Sequence, residues 1–105
     1  ENNNILGYAY ANKWTEKPAY KQTIESTVYV KHNIHNKGIG SKLYKELLNN
    51  LRENNYHTVV GGLSLPNDAS IKLHENFGFK KVAHFKEVGF KFGDWVDVGF
   101  WQLKL

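Results

Sequence analysis

The stretch HNIHNKGIGSKL, from His32 to Leu43, lies where the chain changes from one periodic pattern to another. Just before it, Thr23 to Val30 (TIESTVYV) alternates between two faces at every second residue, which is typical of a β-strand. After it, leucines recur at the spacing of one helix face: Leu43, Leu47, Leu48 and Leu51. The sequence therefore predicts a strand, a turn containing Gly38 and Gly40, and a helix from Ile39 to about Asn54.

The rest of the chain supplies the other elements of the predicted fold. Apolar and β-branched runs predict four further strands: Ile5–Ala11, His57–Ser64, Phe79–Val88 and Asp97–Leu105. The segment Gly89–Val96, which contains two glycines, is predicted to be a turn. A short helix is predicted between Asn67 or Asp68, as its N-cap, and Gly78. The pair Gly61 and Gly62 within a strand indicates that another group approaches its backbone closely. Strands that alternate with helices predict a partly parallel sheet in an α/β or α+β fold.

Composition narrows the class of protein. A chain of 105 residues with 41% hydrophobic residues is enough for one domain with one core. It has no cysteine, which excludes disulfides and thiolate nucleophiles and fits a cytoplasmic protein. No apolar run has the length of a membrane span, so no membrane is expected as a partner. The net charge of +4 comes from scattered lysines rather than a basic stripe, so nucleic acid is not an expected partner either.

The turn before the predicted helix has two interpretations. The first turn of a helix presents free N–H groups and the positive end of the helix dipole, and glycine lets a phosphate approach the backbone. The loop is not a Walker sequence, because the Gly-Lys-[Ser/Thr] ending is missing, and it lacks the third glycine of the dinucleotide motif. Taken alone, the loop is either a plain turn or a pyrophosphate site.

A second motif favours the pyrophosphate interpretation. The segment NDASIKLHENFGF, from Asn67 to Phe79, together with the Gly-x-Gly opening of the earlier helix, resembles the GNAT superfamily of N-acetyltransferases. The positions that match the second signature of this superfamily are Asn67, Ser70, Leu73, Glu75, Gly78 and Phe79. His74 occupies the position where the superfamily usually has tyrosine.

Further motifs resemble the phosphinothricin acetyltransferase branch of the family, and the resemblance covers nearly the whole chain. They are TIESTVYV, GLSLPND, KLHE and the run GFKFGDWVDVGFWQ from Gly89 to Gln102. The resemblance implies a GNAT-type mixed sheet with helices on both faces. Family members have a further strand and helices ahead of the segment matching Ile5–Ala11. Residues 1–105 are therefore expected to form a single GNAT domain that lacks these N-terminal elements.

The same resemblance implies that acetyl-coenzyme A is the acetyl donor. Its pyrophosphate is expected at the glycine loop and first helical turn: Asn36, Lys37, Gly38, Ile39, Gly40 and Ser41. Its pantetheine arm is expected along the backbone of Val28, Tyr29 and Val30. Asn67 is a further expected cofactor contact, with a purely N-capping role as the alternative.

Two residues are candidates for catalysis. Glu25 is the expected base that takes the proton of the attacking amine, and its alternative is a solvated charge at a strand edge. His74 is expected to protonate the departing thiolate or to orient substrate, and its alternative is a structural histidine. The expected mechanism is direct attack by a neutral amine, which agrees with the lack of a cysteine to carry an acyl group.

The expected acceptor is a small amino acid or an analogue such as phosphinothricin or methionine sulfoximine. The alternatives are a protein or peptide N-acetyltransferase and a non-catalytic coenzyme A-binding fragment. No metal is expected, because His32 and His35 have no evident third ligand and the family uses none. The aromatic residues in and just before the last predicted strand, Trp95, Phe100 and Trp101, belong to the core, to a substrate wall or to the interface of an expected homodimer.

Overall fold

The computed structural model describes residues 7–30 and 38–105, and this part of the chain forms a five-stranded sheet with two α-helices. The elements are β1 (Gly7–Lys13), β2 (Thr23–Val30), α1 (Ile39–Glu53), β3 (Thr58–Leu65), α2 (Asp68–Asn76), β4 (Lys80–Lys91) and β5 (Asp94–Lys104). A single turn of 3-10 helix, Pro18–Tyr20, lies between β1 and β2. The predicted fold class is confirmed, and β2 and α1 begin at the predicted residues.

The sheet is mixed and has the strand order β1-β2-β3-β5-β4. β2 and β3 are parallel, and the other neighbours are antiparallel. The parallel pairing runs only from Thr23–Thr58 to Ser26–Gly61. Beyond that point β2 continues along β1 to Val30, and β3 continues along β5 to Leu65. The two central strands therefore part, and we call the opening between residues 27–30 and residues 62–65 the β2–β3 cleft.

Both described helices pack on one face of the sheet, called here the helix face. Tyr44 of α1 is hydrogen-bonded to Ser26 of β2 and to His74 of α2. The Nε1 atom of Trp101 on β5 donates to a carboxylate oxygen of Glu75 on α2, at 3.0 Å. The steps from β2 to β3 and from β3 to β4 cross the sheet in the same direction, and right-handed crossovers then place both helices on the same side. The described residues thus do not show the helices on both faces that the resemblance implies.

The core lies between this face and the two helices. Its buried residues are Ile24, Tyr44, Leu48, Leu51, Val59, Leu63, Phe79 and Trp101. The helical leucine pattern is confirmed in part, since Leu48 and Leu51 are buried while Leu43 and Leu47 are half-buried. Tyr44 fills the position four residues before Leu48 on the same side of α1, and it is completely buried.

The terminal hairpin differs from the predicted one. The chain does turn within the predicted segment Gly89–Val96, but the turn is shorter than predicted, because β4 continues to Lys91 and β5 begins at Asp94. The turn residues Phe92 and Gly93 both have positive φ, +52° and +82°, which matches the twist of a two-residue hairpin turn. Gly89 is paired with Val96 within the strands, and a Cβ at Gly89 would lie 2.9 Å from the Val96 side chain. This glycine serves close packing and not a turn.

β4 also contains a bulge between Phe85 and Gly89. The Asp97 carboxylate on β5 holds it, since one oxygen accepts from the Glu87 backbone N–H at 2.9 Å and the other is 2.8 Å from His84 Nε2. The hydrogen bond from His84, and then that from the Glu87 backbone, lower the pKa of Asp97. The carboxylate is therefore charged at neutral pH and acts as a fixed acceptor for the bulged backbone.

Candidate functional site

The N-terminus of α1 is the first part of the site. Gly38 is the N-cap, with φ +71° in the left-handed region that glycine adopts without strain. No side chain of the described residues caps this end, and the first turn contains no acidic residue. The N–H groups of Ile39, Gly40 and Ser41 therefore lie at an uncapped positive helix end, which suits an anion. Asn36 and Lys37 lie outside the described residues.

The β2–β3 cleft is the second part of the site. Because α1 follows the parallel strand β2, its N-terminus lies at the carboxyl end of that strand, toward which the cleft opens. Val28, Tyr29 and Val30 belong to the stretch of β2 beyond the last pair with β3. Strand residues without a neighbouring strand on one side offer N–H and C=O groups to a ligand there. The structure thus brings the predicted backbone contacts and the predicted anion site to one end of the sheet.

Asn67 lies just past the end of β3 and starts α2. Its side-chain oxygen accepts from the Ser70 backbone N–H at 3.2 Å, so its predicted N-capping role is confirmed. Its contact with a cofactor stays a prediction.

Glu25 points to the other side of the sheet, called here the Glu25 face. It is half-buried and lies between Asn12 of β1 and Val60 of β3 in the sheet register. Since β2 is an inner strand, the alternative of a charge at a strand edge is wrong. Tyr8 stacks with Tyr29 on this face, with ring centroids 5.2 Å apart. Glu25 therefore lies in the paired part of β2, on the face that bears a cluster of tyrosines.

His74 lies on the helix face and is buried, with 2% of its surface exposed. Its Nδ1 is 2.7 Å from the Ser70 carbonyl oxygen, and its Nε2 is 2.9 Å from the Tyr44 hydroxyl. Since a carbonyl only accepts, Nδ1 carries the proton and Nε2 accepts from Tyr44. The Tyr44 oxygen in turn accepts from the Ser26 hydroxyl. Both ring nitrogens of His74 are thus already bonded within the protein.

Burial sets the charge of this group of residues. Desolvation lowers the pKa of His74 below its ordinary 6.5, although the Ser70 carbonyl opposes the change. Desolvation also raises the pKa of Tyr44 to about 12, against the effect of the Ser26 hydrogen bond. The imidazole and the phenol are therefore both neutral at neutral pH.

The two predicted catalytic residues are not brought together. Glu25 and Ser26 are neighbours on β2, so their side chains point to opposite faces, and His74 lies on the Ser26 side. Sequence reasoning also missed Tyr44, which links Ser26 to His74. The available signal was a tyrosine at the i, i+4, i+7 spacing of buried leucines, where a phenol needs a hydrogen-bond partner.

The close approach predicted at Gly61 and Gly62 is confirmed on both faces of β3. A Cβ at Gly61 would lie 2.8 Å from Nε2 of His74. A Cβ at Gly62 would lie 2.9 Å from the ring of Phe100 on the other side. The first glycine makes room for the buried imidazole, and the second lets an aromatic ring lie on the Glu25 face.

Protein stability should depend on pH through His74. Its pKa is lower in the folded chain than in the unfolded chain, so the unfolded chain binds the proton more readily. The free energy of unfolding should therefore decrease as the pH falls through about 6.5 and below. Urea unfolding between pH 8 and pH 5 measures this, and His74→Gln serves as the reference. The same slope in both proteins would show that His74 does not carry the effect.

Within 7–30 and 38–105, no three side chains of histidine, cysteine, aspartate or glutamate come together as a metal-binding group. His32 and His35 fall outside these ranges. Neither helix of the described ranges combines the length and apolar composition that spanning a membrane requires.

The fold and the open cleft define a class of protein. The described strands and helices superpose on solved acetyltransferases with TM-scores of 0.93 over 99 to 100% of this chain. A family model described as the acetyltransferase (GNAT) domain matches residues 1–99. The chain belongs to the GNAT family, as the sequence motifs predicted.

Three comparisons give the family context. A phosphinothricin N-acetyltransferase of Streptomyces viridochromogenes is 44% identical over 98 residues, which cover 93% of this chain and 54% of that protein. A methionine sulfoximine and methionine sulfone acetyltransferase of Salmonella typhimurium is 39% identical over 105 residues, covering all of this chain and 61% of that protein. A solved acetyltransferase from Salmonella typhimurium with its cofactor acetyl-coenzyme A superposes with a TM-score of 0.93 at 39% identity, covering all of this chain and 61% of that one. The chain thus spans little more than half the length of the curated relatives it matches.

Proposed function

We propose that this chain forms the donor-binding and catalytic part of an acetyl-coenzyme A-dependent N-acetyltransferase that acts on the amine of a small amino acid or analogue. One observation carries the proposal: the parallel pairing of β2 and β3 ends at Ser26–Gly61, and the uncapped N-terminus of α1 lies at the same end of the sheet. An extended arm with an anionic end fits this combination of open strand and positive helix end.

In the proposed complex, the pantetheine arm lies in the β2–β3 cleft against the backbone of Val28, Tyr29 and Val30. The amides of residues 36–41 receive the pyrophosphate, and Asn67 contacts the arm from the end of β3. The structural relative solved with acetyl-coenzyme A supports this donor through its fold and its 39% identity.

Glu25 is the proposed base of the reaction. It accepts the proton of the acceptor amine, directly or through a water, and the neutral nitrogen then attacks the thioester carbon. The C–N bond forms, the C–S bond breaks, and the nitrogen loses a second proton as it becomes the amide. That loss balances the proton that the departing coenzyme A thiolate takes up. His74 is the predicted donor of that proton, but both of its ring nitrogens are bonded within the protein, which favours another source of the proton.

A small amino acid is the proposed acceptor for two reasons. The curated relatives are named for phosphinothricin and methionine sulfoximine, which are amino-acid analogues. In addition, Lys91 donates to the Ser64 hydroxyl at 3.0 Å near the end of β3, on the face that carries Glu25. An ammonium group at that place suits the carboxylate of an amino acid whose amine approaches Glu25.

The test is an assay of coenzyme A release with phosphinothricin, methionine sulfoximine and a peptide with a free amino terminus as acceptors. Acetylated phosphinothricin or methionine sulfoximine, identified by mass, is the expected product. Faster acetylation of the peptide would instead support a peptide N-acetyltransferase. Acetyl-coenzyme A binding in calorimetry without turnover on any amine would support a coenzyme A-binding fragment.

We also propose a homodimer in the cytoplasm. The hairpin formed by β4 and β5 exposes a cluster of large apolar side chains, and such a cluster on a protein surface is typical of an interface. Its members are Val82, Phe85, Val88, Phe90, Phe92 and Trp95. Phe90 and Trp95 pack edge to face at 4.9 Å and form a rigid apolar pair on this hairpin. The lack of cysteine fits a reducing compartment.

A further inference from the structure

A buried chain of hydrogen bonds connects three elements at the point where β2 and β3 part. Ser26 of β2 donates to Tyr44 of α1, Tyr44 donates to His74 of α2, and His74 donates to the Ser70 carbonyl one turn earlier in α2. Ser26 belongs to the last residue pair of the parallel register. We call these three side chains the Ser26–Tyr44–His74 relay, and it lies directly under the inner end of the β2–β3 cleft.

Tight packing and hydrogen bonds hold the three side chains of the relay in fixed positions. The exposed fractions of Ser26, Tyr44 and His74 are 5%, 0% and 2%. The Tyr44 ring stacks on Phe79 with centroids 5.6 Å apart, and His74 fills the space beside Gly61. Every buried side-chain nitrogen and oxygen of the described residues has a hydrogen-bond partner. Moving any member of the relay would leave a buried donor or acceptor without one.

The relay also has a fixed direction. The Ser70 carbonyl requires a proton on Nδ1 of His74, so Nε2 accepts and the Tyr44 hydroxyl must point toward it. Because Tyr44 donates to His74, its oxygen accepts from the Ser26 hydroxyl. This order gives each element one defined contact with the next, from β2 through α1 to α2.

We propose that the relay sets the geometry of the donor site, by fixing the inner end of the cleft on β2 relative to the N-terminus of α1 and the start of α2. His74 and Tyr44 are then positioning residues and not proton donors to the thiolate. This inference rests on the proposed function, since it concerns the same cleft. A ligand that contacts both the β2 backbone and the α1 N-terminus binds tightly only when the two keep the correct separation.

Three substitutions separate positioning from acid catalysis. Tyr44→Phe removes the hydroxyl and leaves both neighbours without their partner, and His74→Leu removes the acceptor. His74→Gln supplies an acceptor oxygen for Tyr44 but has no group that titrates near neutral pH. Positioning predicts that Tyr44→Phe and His74→Leu weaken acetyl-coenzyme A binding about 10-fold and that His74→Gln restores most of it. The double variant Tyr44→Phe/His74→Leu should bind no worse than the weaker single variant.

A matched control separates positioning from loss of stability. Leu48→Ala lowers stability from the same helix, one turn beyond Tyr44, and Leu48 is 1% exposed. Measured at a temperature where every variant is folded by circular dichroism, Leu48→Ala should bind acetyl-coenzyme A within about twofold of the parent chain. Affinity that falls in Leu48→Ala as much as in Tyr44→Phe would overturn the proposal.

Acid catalysis gives a different pattern. If His74 protonates the thiolate, His74→Gln loses turnover as severely as His74→Leu, and the alkaline limb of the pH profile of kcat changes in His74→Gln. Tyr44→Phe then keeps its affinity for acetyl-coenzyme A. That pattern would overturn the positioning role. Positioning instead predicts that the pH dependence of kcat is the same in His74→Gln as in the parent chain.

A measurement without ligand keeps this inference separate from the proposed function. Amide hydrogen exchange of residues 27–30 should be about 10-fold faster in Tyr44→Phe than in the parent chain. It should also be faster in His74→Leu, whereas the rate in His74→Gln should be close to that of the parent chain. Equal exchange in all variants would overturn the relay as a positioning device. A parent chain that binds no acetyl-coenzyme A would overturn the proposed function, whatever the exchange rates are.

Discussion

Replacing Gly38 by aspartate is expected to weaken acetyl-coenzyme A binding by about 100-fold or more, because like charges brought together in a site cost several kcal/mol. The new carboxylate would lie at the N-cap of α1, where the proposed pyrophosphate binds. The fold should tolerate it, since a Cβ at Gly38 meets no described atom within 4 Å and aspartate accepts the left-handed conformation better than most residues. An acidic N-cap also stabilises a helix.

Gly38→Asn is the matched control for this prediction. Asparagine has the size of aspartate, adopts positive φ and caps helices as well, so the two variants differ mainly in charge. Titration calorimetry with acetyl-coenzyme A should give a dissociation constant for Gly38→Asp that is at least about 10-fold larger than that for Gly38→Asn. Equal constants for the two variants would show that no phosphate binds at this helix end, and the proposed donor site would then be wrong.

Replacing Glu25 by glutamine is expected to lower kcat by about 10² to 10⁴-fold, the range that a positioned general base contributes. Glutamine keeps the shape of the side chain within the paired part of β2, so the sheet and the cleft should be unchanged. The affinity for acetyl-coenzyme A should stay within about threefold, because Glu25 points away from the helix face. Coenzyme A release and calorimetry on the same preparation separate the two effects.

Glu53→Gln controls for the loss of one negative charge, since Glu53 is exposed at the last residue of α1, the end remote from the cleft. Its kcat should match that of the parent chain. A second control uses the acceptor: the deficit of Glu25→Gln should shrink as the pH approaches the pKa of the acceptor amine, since more amine is then already neutral. A kcat of Glu25→Gln equal to that of the parent would place the base elsewhere.

Local patterns accounted for most of the described elements. The alternation of Thr23–Val30 gave β2 at its observed bounds, and the leucine spacing gave α1 to within one residue of its end. The N-cap role of Asn67 followed from its residue type and its place before a helical run. These features depend on neighbours within a few residues, so a single sequence contains enough information to predict them.

Features that depend on distant residues were not predictable in the same way. The end of the parallel pairing at Ser26–Gly61 depends on how β1 and β5 pair with the outer halves of the two strands. Tyr44 acquires its partners from β2 and α2, which are 18 and 30 residues away along the chain. The hairpin turn is shorter than predicted because the strand pairing of Gly89 with Val96 outweighed the local preference of glycine for turns.

The candidate site shows the same division. Gly38 and Glu25 could be selected from motif positions, but the sequence could not show that Glu25 and His74 lie on opposite sides of the sheet. That result follows from the alternation of β2 and from the relay that buries His74 beneath it. A residue type at a motif position therefore identified candidates, whereas the hydrogen-bond partners of each candidate distinguish a reactive group from a structural one.

The bulge in β4 has a consequence for how copies of the chain can meet. β4 is an outer strand of the described sheet, and an unprotected outer strand invites another strand to pair with it. Here the backbone between Phe85 and Gly89 departs from the regular register, and the Glu87 N–H already donates to the Asp97 carboxylate. Four lysines also lie along the strand: Lys80, Lys81, Lys86 and Lys91. Edge-to-edge extension into a continuous sheet is therefore disfavoured, and association through this hairpin must use its side chains.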